Sequence, residues 1–266
     1  MKGRLTISCL AFALAFPVFA AFSADSVVVR VAAYNVAAGE WGSPERISEI
    51  FAQFDADVIG FNEVPGGDWT ERVGRELGME YAYVGAVSSA GHADKYKSIL
   101  SRTPLTDTAE FTLTAGRGWN PASAVRAETT IGGIPVAIYS LHVARSGRLD
   151  GHAFEFVDEV LPGETLEKVI VMGDFNNEIG GDAMDTLETH GLRPVWRDTD
   201  MDLRRRTTIV ERERVNRVID HILYSESSGA RASRAGIVEL NRPPSDHKPV
   251  WAEIVFPVET GTLEQE

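Results

Sequence analysis

Residues 169–178 read VIVMGDFNNE, a run of apolar residues that ends in a cluster of acid and amide side chains. The apolar residues predict a buried strand. Asp174 and Asn176 lie two residues apart on an extended segment, so their side chains point the same way. An aspartate and an asparagine after a strand can form a simple turn, but a polar group at this place also lies at a sheet edge, where distant residues can meet in one cleft.

Five further segments place an amide, acid or imidazole beside a strand-like apolar run: Asn35 in VAAYNVA (31–37), Glu63 in VIGFNEV (58–64), His142 in IYSLHV (138–143), Asp220 in RVIDHIL (217–223) and Asp246-His247 in PPSDHKPVWAEI (243–254). Together these groups suit a metal-dependent phosphoester hydrolase. A phosphodiester is anionic, so attack by water requires charge neutralisation, an aligned nucleophile and a protonated leaving group. Carboxylate and amide oxygens select hard cations, which predicts Mg²⁺ or Mn²⁺ as the cofactor.

The fold class is predicted to be α/β (α+β), with two sheets in the core and helices around them. Helices are expected from Pro44, with Ser43 as N-cap, and at 68–77, 152–160 and 182–190. Gly132-Gly133 predicts a tight hairpin. Strands are expected at 26–35, 57–62, 81–84, 97–101, 108–113, 124–131, 134–142, 168–172, 218–224, 236–240 and 250–256.

The N-terminal residues 1–24 are predicted to be a secretory signal peptide, followed by one domain over residues 25–266. Lys2 and Arg4 precede an apolar run over residues 5–22, with small residues that allow cleavage after Ala20 or Ala24. The run is short and interrupted, which favours a cleaved signal over the alternative, a retained membrane anchor. The single cysteine, Cys9, lies inside this segment, so the mature chain is expected to contain no thiol.

The net charge of the chain and its lack of glycosylation acceptors limit the cellular compartments and binding partners that we expect. The formal net charge is −13, and it becomes −15 without Lys2 and Arg4. Such a field repels polyanions, which argues against a general DNA-coating protein but not against a nuclease with a locally positive cleft. The chain contains no Asn-x-Ser/Thr acceptor, which together with the cysteine count favours a bacterial periplasmic or extracellular protein. Neither stable membrane insertion after signal removal nor an obligate protein partner is expected.

The strings GFNEV (60–64), SLHV (140–143), GDFN (173–176), IDHIL (219–223) and SDHKPV (245–250), in this order, resemble the endonuclease/exonuclease/phosphatase superfamily. The resemblance extends from Asn35 to His247. It implies a four-layer α/β/β/α sandwich of two mixed, mostly antiparallel sheets flanked by helices. It also implies metal-dependent phosphoester hydrolysis.

The resemblance implies a role for each matched residue. Glu63 is expected to bind the metal with Asn35 beside it and Asp246 on the far side. The remaining matched residues are expected to be catalytic. Asp174 would orient the attacking water, Asn176 would donate to a phosphate oxygen, Asp220 would fix His247 as a donor or proton relay, and His142 would contact the phosphate or protonate the departing oxygen.

Several residues outside the matched strings have open roles. Lys97 and Arg126 are candidate phosphate ligands, or solvated cations at a sheet edge. Asn62 stands where the family more often has glutamine, and His221 where it often has an aromatic residue, so His221 is either a cleft group or ordinary packing. A cationic region could guide the substrate or form a solvated, ion-paired loop; it consists of Arg204, Arg205, Arg206, Arg212, Arg214 and Arg217. Three tryptophans could stack on the substrate or cover the core: Trp41, Trp69 and Trp119.

Three hypotheses for the function follow. The leading one is a secreted phosphodiester hydrolase, including a nuclease. The second is a phospholipase C-type enzyme similar to sphingomyelinases, or a sugar or inositol phosphatase, with the same catalytic core. The third is a non-catalytic binding protein on this fold, which loss of Glu63, Asp174 or His247 would favour; all three are present.

Overall fold

The protein consists of two six-stranded sheets packed face to face, as a computed structural model shows for residues 26–115, 119–144, 151–210 and 216–258. The predicted signal peptide therefore lies outside the described residues. The strands within them are β1 Ser26–Asn35, β2 Val58–Val64, β3 Tyr81–Val84, β4 Tyr96–Ser101, β5 Thr106–Leu113, β6 Ala122–Ile131, β7 Ile134–His142, β8 Val169–Asp174, β9 Leu192–Pro194, β10 Asp220–Ser225, β11 Arg231–Ile237 and β12 Val250–Pro257.

The two sheets have matching plans. The first has the order β11-β12-β1-β2-β4-β3 and the second β5-β6-β7-β8-β10-β9. In each, one parallel pair lies in the middle, β1 with β2 and β7 with β8, and the other neighbours are antiparallel. The mixed, mostly antiparallel sandwich is confirmed.

Helices cover both outer faces, as the four-layer arrangement requires. They are α1 Pro44–Phe51, α2 Trp69–Leu77, α3 Gly151–Glu155, which continues as a π-helical turn over Phe156–Val160, and α4 Asp182–Thr189. Ser43 accepts from the backbone of Arg46 at 3.4 Å and caps α1, and Gly78 ends α2 at φ 65°. No helix in these described ranges is long and apolar enough to cross a membrane.

Alternation along the strands sends side chains to three apolar layers. In β1, Val29, Val31 and Ala33 face the other sheet, while Ala32 and Tyr34 pack under α1 and α2. A third layer joins the second sheet to α3 and α4. Between the sheets, a Cβ on Gly60 would come within 2.8 Å of Met172, so a glycine lets the two sheets approach at this point.

Most predicted elements are present, with two corrections in the second half of the chain. Gly132 and Gly133 adopt φ 56° and 87° and form the predicted hairpin. The strand expected at 236–240 instead lies earlier, at β11, where it pairs with β12 through a bulge. The three-residue strand β9 was not predicted, because it is too short for its alternation to be recognised and contains a proline; it is an edge strand that pairs with β10.

Candidate active site

Polar residues at the ends of neighbouring strands lie on one rim of the sandwich. Asn35 of β1 pairs with Asn62 of β2 in the first sheet. In the second sheet, Asp174 of β8 pairs with His142 of β7 on one side and with Asp220 of β10 on the other. Asn35 Nδ2 donates to Asp174 Oδ2 at 3.0 Å, which joins the two sheets at this rim.

Asp174 lies at the centre of the group and is 2% exposed. Its Oδ1 accepts from the backbone of Asn176 at 2.9 Å, and its own N–H donates to Asn62 Oδ1 at 2.7 Å. The Nε2 atoms of His142 and His247 lie 3.4 and 3.6 Å from its Oδ2. Burial raises the pKa of Asp174, and the two imidazoles oppose that rise. Asp174 can therefore exchange a proton with a molecule bound beside it.

Asp220 and His247 form a buried ion pair. His247 Nδ1 donates to the Asp220 carboxylate at 2.9 Å. Burial is the largest effect on His247 and disfavours its charge, but the carboxylates of Asp220, Asp174 and Asp246 outweigh it and raise the pKa of His247 to about 10. His247 is therefore charged at neutral pH and presents Nε2–H toward Asp174. A fixed imidazolium of this kind can donate to a phosphoryl oxygen.

The loop that carries His247 is anchored to the end of β1. Ser245 Oγ donates to the carbonyl of Asn35 at 2.7 Å and accepts from the backbone of His247 at 3.1 Å. Asp246 is half-buried, with its Oδ1 3.4 Å from the Ser245 hydroxyl.

Glu63 is turned into the cleft by an irregularity in β2. The pairing with β4 shifts between Asn62 and Val64, and Glu63 between them has φ 53°. A bulge re-aims a side chain, and a positive φ in a residue with a Cβ is strained and is found at functional sites. Glu63 Oε2 lies 2.6 Å from Lys95 Nζ, and Oε1 lies 3.8 Å from His142 Nδ1.

His142 is neutral and has one unused N–H. Asn176 Nδ2 contacts His142 Nε2 at 3.2 Å and donates to the Val143 carbonyl at 3.1 Å. The Val143 carbonyl can only accept, so the Asn176 atom beside it must be the NH₂ group. The second hydrogen of that NH₂ group then points to His142 Nε2, which acts as the acceptor. The ring proton then lies on Nδ1, which is buried and has no partner among the described residues. Burial lowers the pKa of His142 to about 4. A ligand oxygen near Glu63 could accept from this N–H.

Two sets of side chains offer donor atoms that could hold a divalent cation. Ligand atoms of Asp174, Asp220 and His247 lie within 4.8 Å of one another, but a metal there would have to displace the proton that Asp220 stabilises on His247. The other set supplies two carboxylates and an amide oxygen, the donors that hard cations prefer. The unpartnered His142 N–H beside one of these carboxylates also points to a missing ligand. The residues that fit are Glu63, Asn35 and Asp246.

Arg126 lies away from this cleft. It pairs with Tyr139 across the β6–β7 hairpin and shares its face, whereas His142, three residues further along β7, faces the other sheet. The guanidinium is 7% exposed and forms ion pairs with three carboxylates, those of Asp107, Glu128 and Glu164. The expectation that Arg126 binds substrate is therefore corrected, because its donors are used in a structural ion-pair cluster.

Lys97 lies beneath the cleft and is fully buried. Its Nζ donates to the Val87 carbonyl at 2.9 Å and to Ser89 Oγ at 3.1 Å. Burial lowers its pKa to about 8, against the opposing carboxylates of Glu110 and Glu63. A phosphate cannot contact an enclosed ammonium without rearrangement. The expected direct contact is corrected to a charge that acts on the cleft from below.

Lys95 and Asn62 belong to the cleft in ways that the sequence did not reveal, and Trp119, a residue with an open role, lies beside it. Lys95 precedes β4 and has no strand-end signature. Asn62 was noticed only as a departure from the family, yet it bonds Ser140 Oγ at 3.2 Å and the backbone of Asp174 across the two sheets. The Trp119 ring centre lies 5.5 Å from that of His142, which gives this loop tryptophan a place at the site.

The other residues with open roles make structural contacts, are exposed to solvent or line a pocket. His221 is buried between Trp196 Nε1 at 2.9 Å and the Asn177 carbonyl at 2.8 Å, which supports packing. Trp69 is a core residue and Trp41 is 43% exposed. In the cationic region, Arg204, Arg205 and Arg206 are exposed to solvent, and the first two pair with Asp202. Arg217 lines a cavity of ≈ 390 Å³, and Arg212 and Arg214 lie outside the described residues.

Comparison with known structures finds the same architecture in several proteins. An endonuclease/exonuclease/phosphatase family protein from Bacteroides thetaiotaomicron superposes with a TM-score of 0.72 at 20% identity, over 91% of this chain and 99% of that one. A mannosyl-6-phosphatase from the same organism gives 0.69 at 22%, over 86% and 100%. D. rerio TDP2 complexed with a single-strand DNA product gives 0.66 at 15%, over 85% and 98%. At these identities the likeness shows the fold.

The sequence comparison identifies the family. No curated protein sequence matches the chain at a significant level. The family model described as "Endonuclease/Exonuclease/phosphatase family" matches residues 32–247, a range that includes every strand-end residue of the cleft. The chain belongs to the endonuclease/exonuclease/phosphatase family.

Proposed function

We propose that this chain is an exported, divalent-metal-dependent phosphodiester hydrolase that uses water as the nucleophile and Mg²⁺ or Mn²⁺ as the cofactor. Members of its family are hydrolytic phosphoesterases. The observation that carries the proposal is the convergence of acids, amides and imidazoles from four strands and one loop around the buried carboxylate of Asp174. Strained backbone and groups with perturbed pKa values cluster at functional sites, and here a strained residue, a charged imidazole and an unused N–H lie close together.

Each side chain has a task that follows from its contacts. Asp174 orients the attacking water and takes its proton, because its carboxylate is buried between the two imidazoles. His247 donates Nε2–H to a phosphoryl oxygen, and Asp220 holds it charged and oriented. His142 donates Nδ1–H to a second oxygen, since its low pKa leaves it neutral. As water adds to phosphorus, the bond from phosphorus to the departing oxygen breaks, and the proton that Asp174 took from water returns through solvent to that oxygen.

Asn176 has a positioning task. Both of its amide hydrogens are engaged, so it holds His142 and does not reach the phosphate in this arrangement. A divalent cation held by Glu63 and Asn35, with Asp246 on the far side, would supply charge neutralisation at the phosphate.

The test is hydrolysis of bis-p-nitrophenyl phosphate with Mg²⁺, Mn²⁺ or EDTA. His247→Ala is expected to lose at least about 100-fold in kcat, the usual effect of removing a positioned acid or base. Its control is His190→Ala, at the exposed end of α4. Glu63→Gln is expected to fall sharply, with the exposed Glu49→Gln of α1 as control. Full activity in EDTA, or an unimpaired His247→Ala enzyme, contradicts the proposal.

A second candidate on the same core is a phosphomonoesterase for a sugar phosphate. The mannosyl-6-phosphatase is covered along its whole length by this chain, and the net charge of −13 disfavours long polyanions. The structural similarity to TDP2, which was solved with a DNA product, supports a nuclease as a candidate function. A panel of plasmid DNA, RNA, sphingomyelin, inositol phosphates, sugar phosphates and p-nitrophenyl phosphate separates these substrates, including the phospholipase C-type alternative.

Export rests on the order of charged, apolar and small residues in 1–24. Expression of the full chain in a bacterial host, followed by fractionation and mass spectrometry of the N-terminus, tests it. Cleavage after Ala20 or Ala24 with the protein in the periplasm or medium supports export. An intact N-terminus in the cytoplasmic or membrane fraction opposes it.

A further inference from the structure

Lys95 forms the closest ion pair in the cleft, and it does so with the proposed metal ligand. Lys95 Nζ lies 2.6 Å from Glu63 Oε2, and the two side chains are 21% and 12% exposed. The pair is therefore largely shielded from water, where a charge interaction is screened less than at the surface. Of the contacts that Glu63 makes with described residues, this is the one at hydrogen-bond distance.

An ammonium and a divalent cation compete for this carboxylate. Mg²⁺ binds carboxylate oxygens at roughly 2.0–2.1 Å and tolerates little departure from octahedral geometry. An ammonium 2.6 Å from Oε2 already uses part of the charge of this carboxylate, and two cations bound to one carboxylate repel each other. The charge of Lys95 therefore opposes metal binding at Glu63, and release of Lys95 removes that opposition.

The structure gives Lys95 a way to leave without moving its backbone. Its N–H donates to Ser88 Oγ at 3.0 Å, and its carbonyl accepts from the N–H of Ser89 at 3.1 Å. Its Nζ already lies 5.7 Å from the centre of the Trp119 ring, a surface that attracts cations. With the backbone held on both sides and a flexible four-carbon stem, only the side chain has to swing.

We propose that Lys95 competes with the divalent cation for Glu63 and so weakens the enzyme's affinity for metal. This rests on the proposed function, since it takes Glu63 as the metal ligand. In the metal-free protein, Lys95 neutralises Glu63 in place of the cation. Each metal-binding event then includes the release of Lys95, and the affinity is reduced by the strength of the ion pair that is broken.

The experiment is a calorimetric titration of the metal-free full chain with MnCl₂ and MgCl₂. Lys95→Met, which keeps the length of the side chain and removes its charge, is expected to bind both ions about 10-fold more tightly, corresponding to about 1.4 kcal/mol. Lys95→Arg retains a cation and stays near the wild type. Lys168→Met, before β8 at the far end of the sheet, controls for the loss of one positive charge.

A double-variant cycle locates the effect at Glu63. Lys95→Met is expected to give no gain in affinity when Glu63→Gln is already present. An equal gain in both backgrounds, or unchanged or weaker binding in Lys95→Met, overturns the proposal. Should Lys95→Met fail to fold, Lys95→Gln replaces it, and folding is checked by thermal unfolding in EDTA.

The outcomes separate this proposal from the proposed function. If the wild type and Lys95→Met both bind no divalent ion, the metal-dependent function and the competition fail together. If the wild type binds metal and Lys95→Met binds no more tightly, the competition alone fails. A larger rise in unfolding temperature on adding Mn²⁺ to Lys95→Met than to wild type supports it without any activity measurement.

Discussion

Replacement of Asp220 by asparagine tests whether His247 works as a permanently charged donor. The folded protein raises the pKa of His247 from 6.5 to about 10, against the opposing effect of burial. At 1.36 kcal/mol for each pKa unit, this is about 5 kcal/mol of net preference for the charged ring. Asp220 provides the strongest attraction and the hydrogen bond at 2.9 Å. Asp220→Asn keeps the shape but removes the charge, so burial dominates and the pKa of His247 must fall.

Because the folded protein raises the pKa of His247, the direction of the pH dependence can be predicted. In the wild type, His247 stays protonated up to about pH 10, so its role as a charged donor is present at neutral pH. Its contribution to stability is complete below about pH 6.5, the pKa of the unfolded state, and is lost progressively as the pH rises from there to about 10. In Asp220→Asn, the ring loses its proton at lower pH. Activity is expected to fall by roughly 10²- to 10⁴-fold at neutral pH, and the residual activity should be greatest on the acid side.

Two measurements check this prediction. The first follows the His247 ring signals by NMR against pH in the metal-free protein, where no added cation perturbs the titration. The second is the pH profile of bis-p-nitrophenyl phosphate hydrolysis. Asp185→Asn, at an exposed position of α4, is the matched control. A variant that keeps wild-type activity from pH 6 to 9, or an unchanged His247 pKa, refutes the reasoning.

Three further predictions concern stability. The pKa of Glu164 is lowered to about 2, because the hydrogen bonds from Arg126 outweigh the effect of burial. Glu164→Gln should therefore destabilise the fold by about 1–3 kcal/mol at pH 7. In acid unfolding, the wild type should lose this stability as the pH falls from about 4.5 to 2. Gly173→Ala should prevent folding or strongly lower the unfolding temperature, since its Cβ would lie 2.0 Å from a backbone oxygen, whereas Gly163→Ala should be neutral. His221→Ala should lower the unfolding temperature and leave kcat within about threefold, because His221 contacts core groups on both ring nitrogens.

The sequence predicts the fold well because the polar groups stand directly after apolar strands. A buried strand has few places to end, so Asn35, His142 and Asp174 had to lie at a sheet rim. The hairpin at Gly132-Gly133 also fixes the register of β6 and β7, and counting back from it pairs Arg126 with Tyr139. That count alone shows that Arg126 and His142 face opposite sides of the sheet.

Other parts of the site depend on features that residue types do not encode. The bulge that aims Glu63 arises from the pairing of β2 with β4, and the positive φ of Asn176, 51°, turns the chain after Asp174. Both are local exceptions to regular strand geometry, so periodicity cannot reveal them. The pairing of Lys95 with Glu63 joins residues that are 32 positions apart, with a helix and a strand between them.

The charges of the cleft fall into two halves that meet at Asp174. On one side, Glu63 is neutralised by Lys95; on the other, Asp220 is neutralised by His247. Glu63 and Asp220 thus each have a cation of their own, which offsets the cost of burying these two carboxylates without metal. The two ion pairs differ in whether their cation can be replaced by a metal ion. His247 is enclosed and holds its proton, while Lys95 is partly exposed on a flexible stem. We therefore expect the metal to enter at the Glu63 side and the imidazolium to remain on the other, so that a phosphate bound beside Asp174 would have positive charge on both sides.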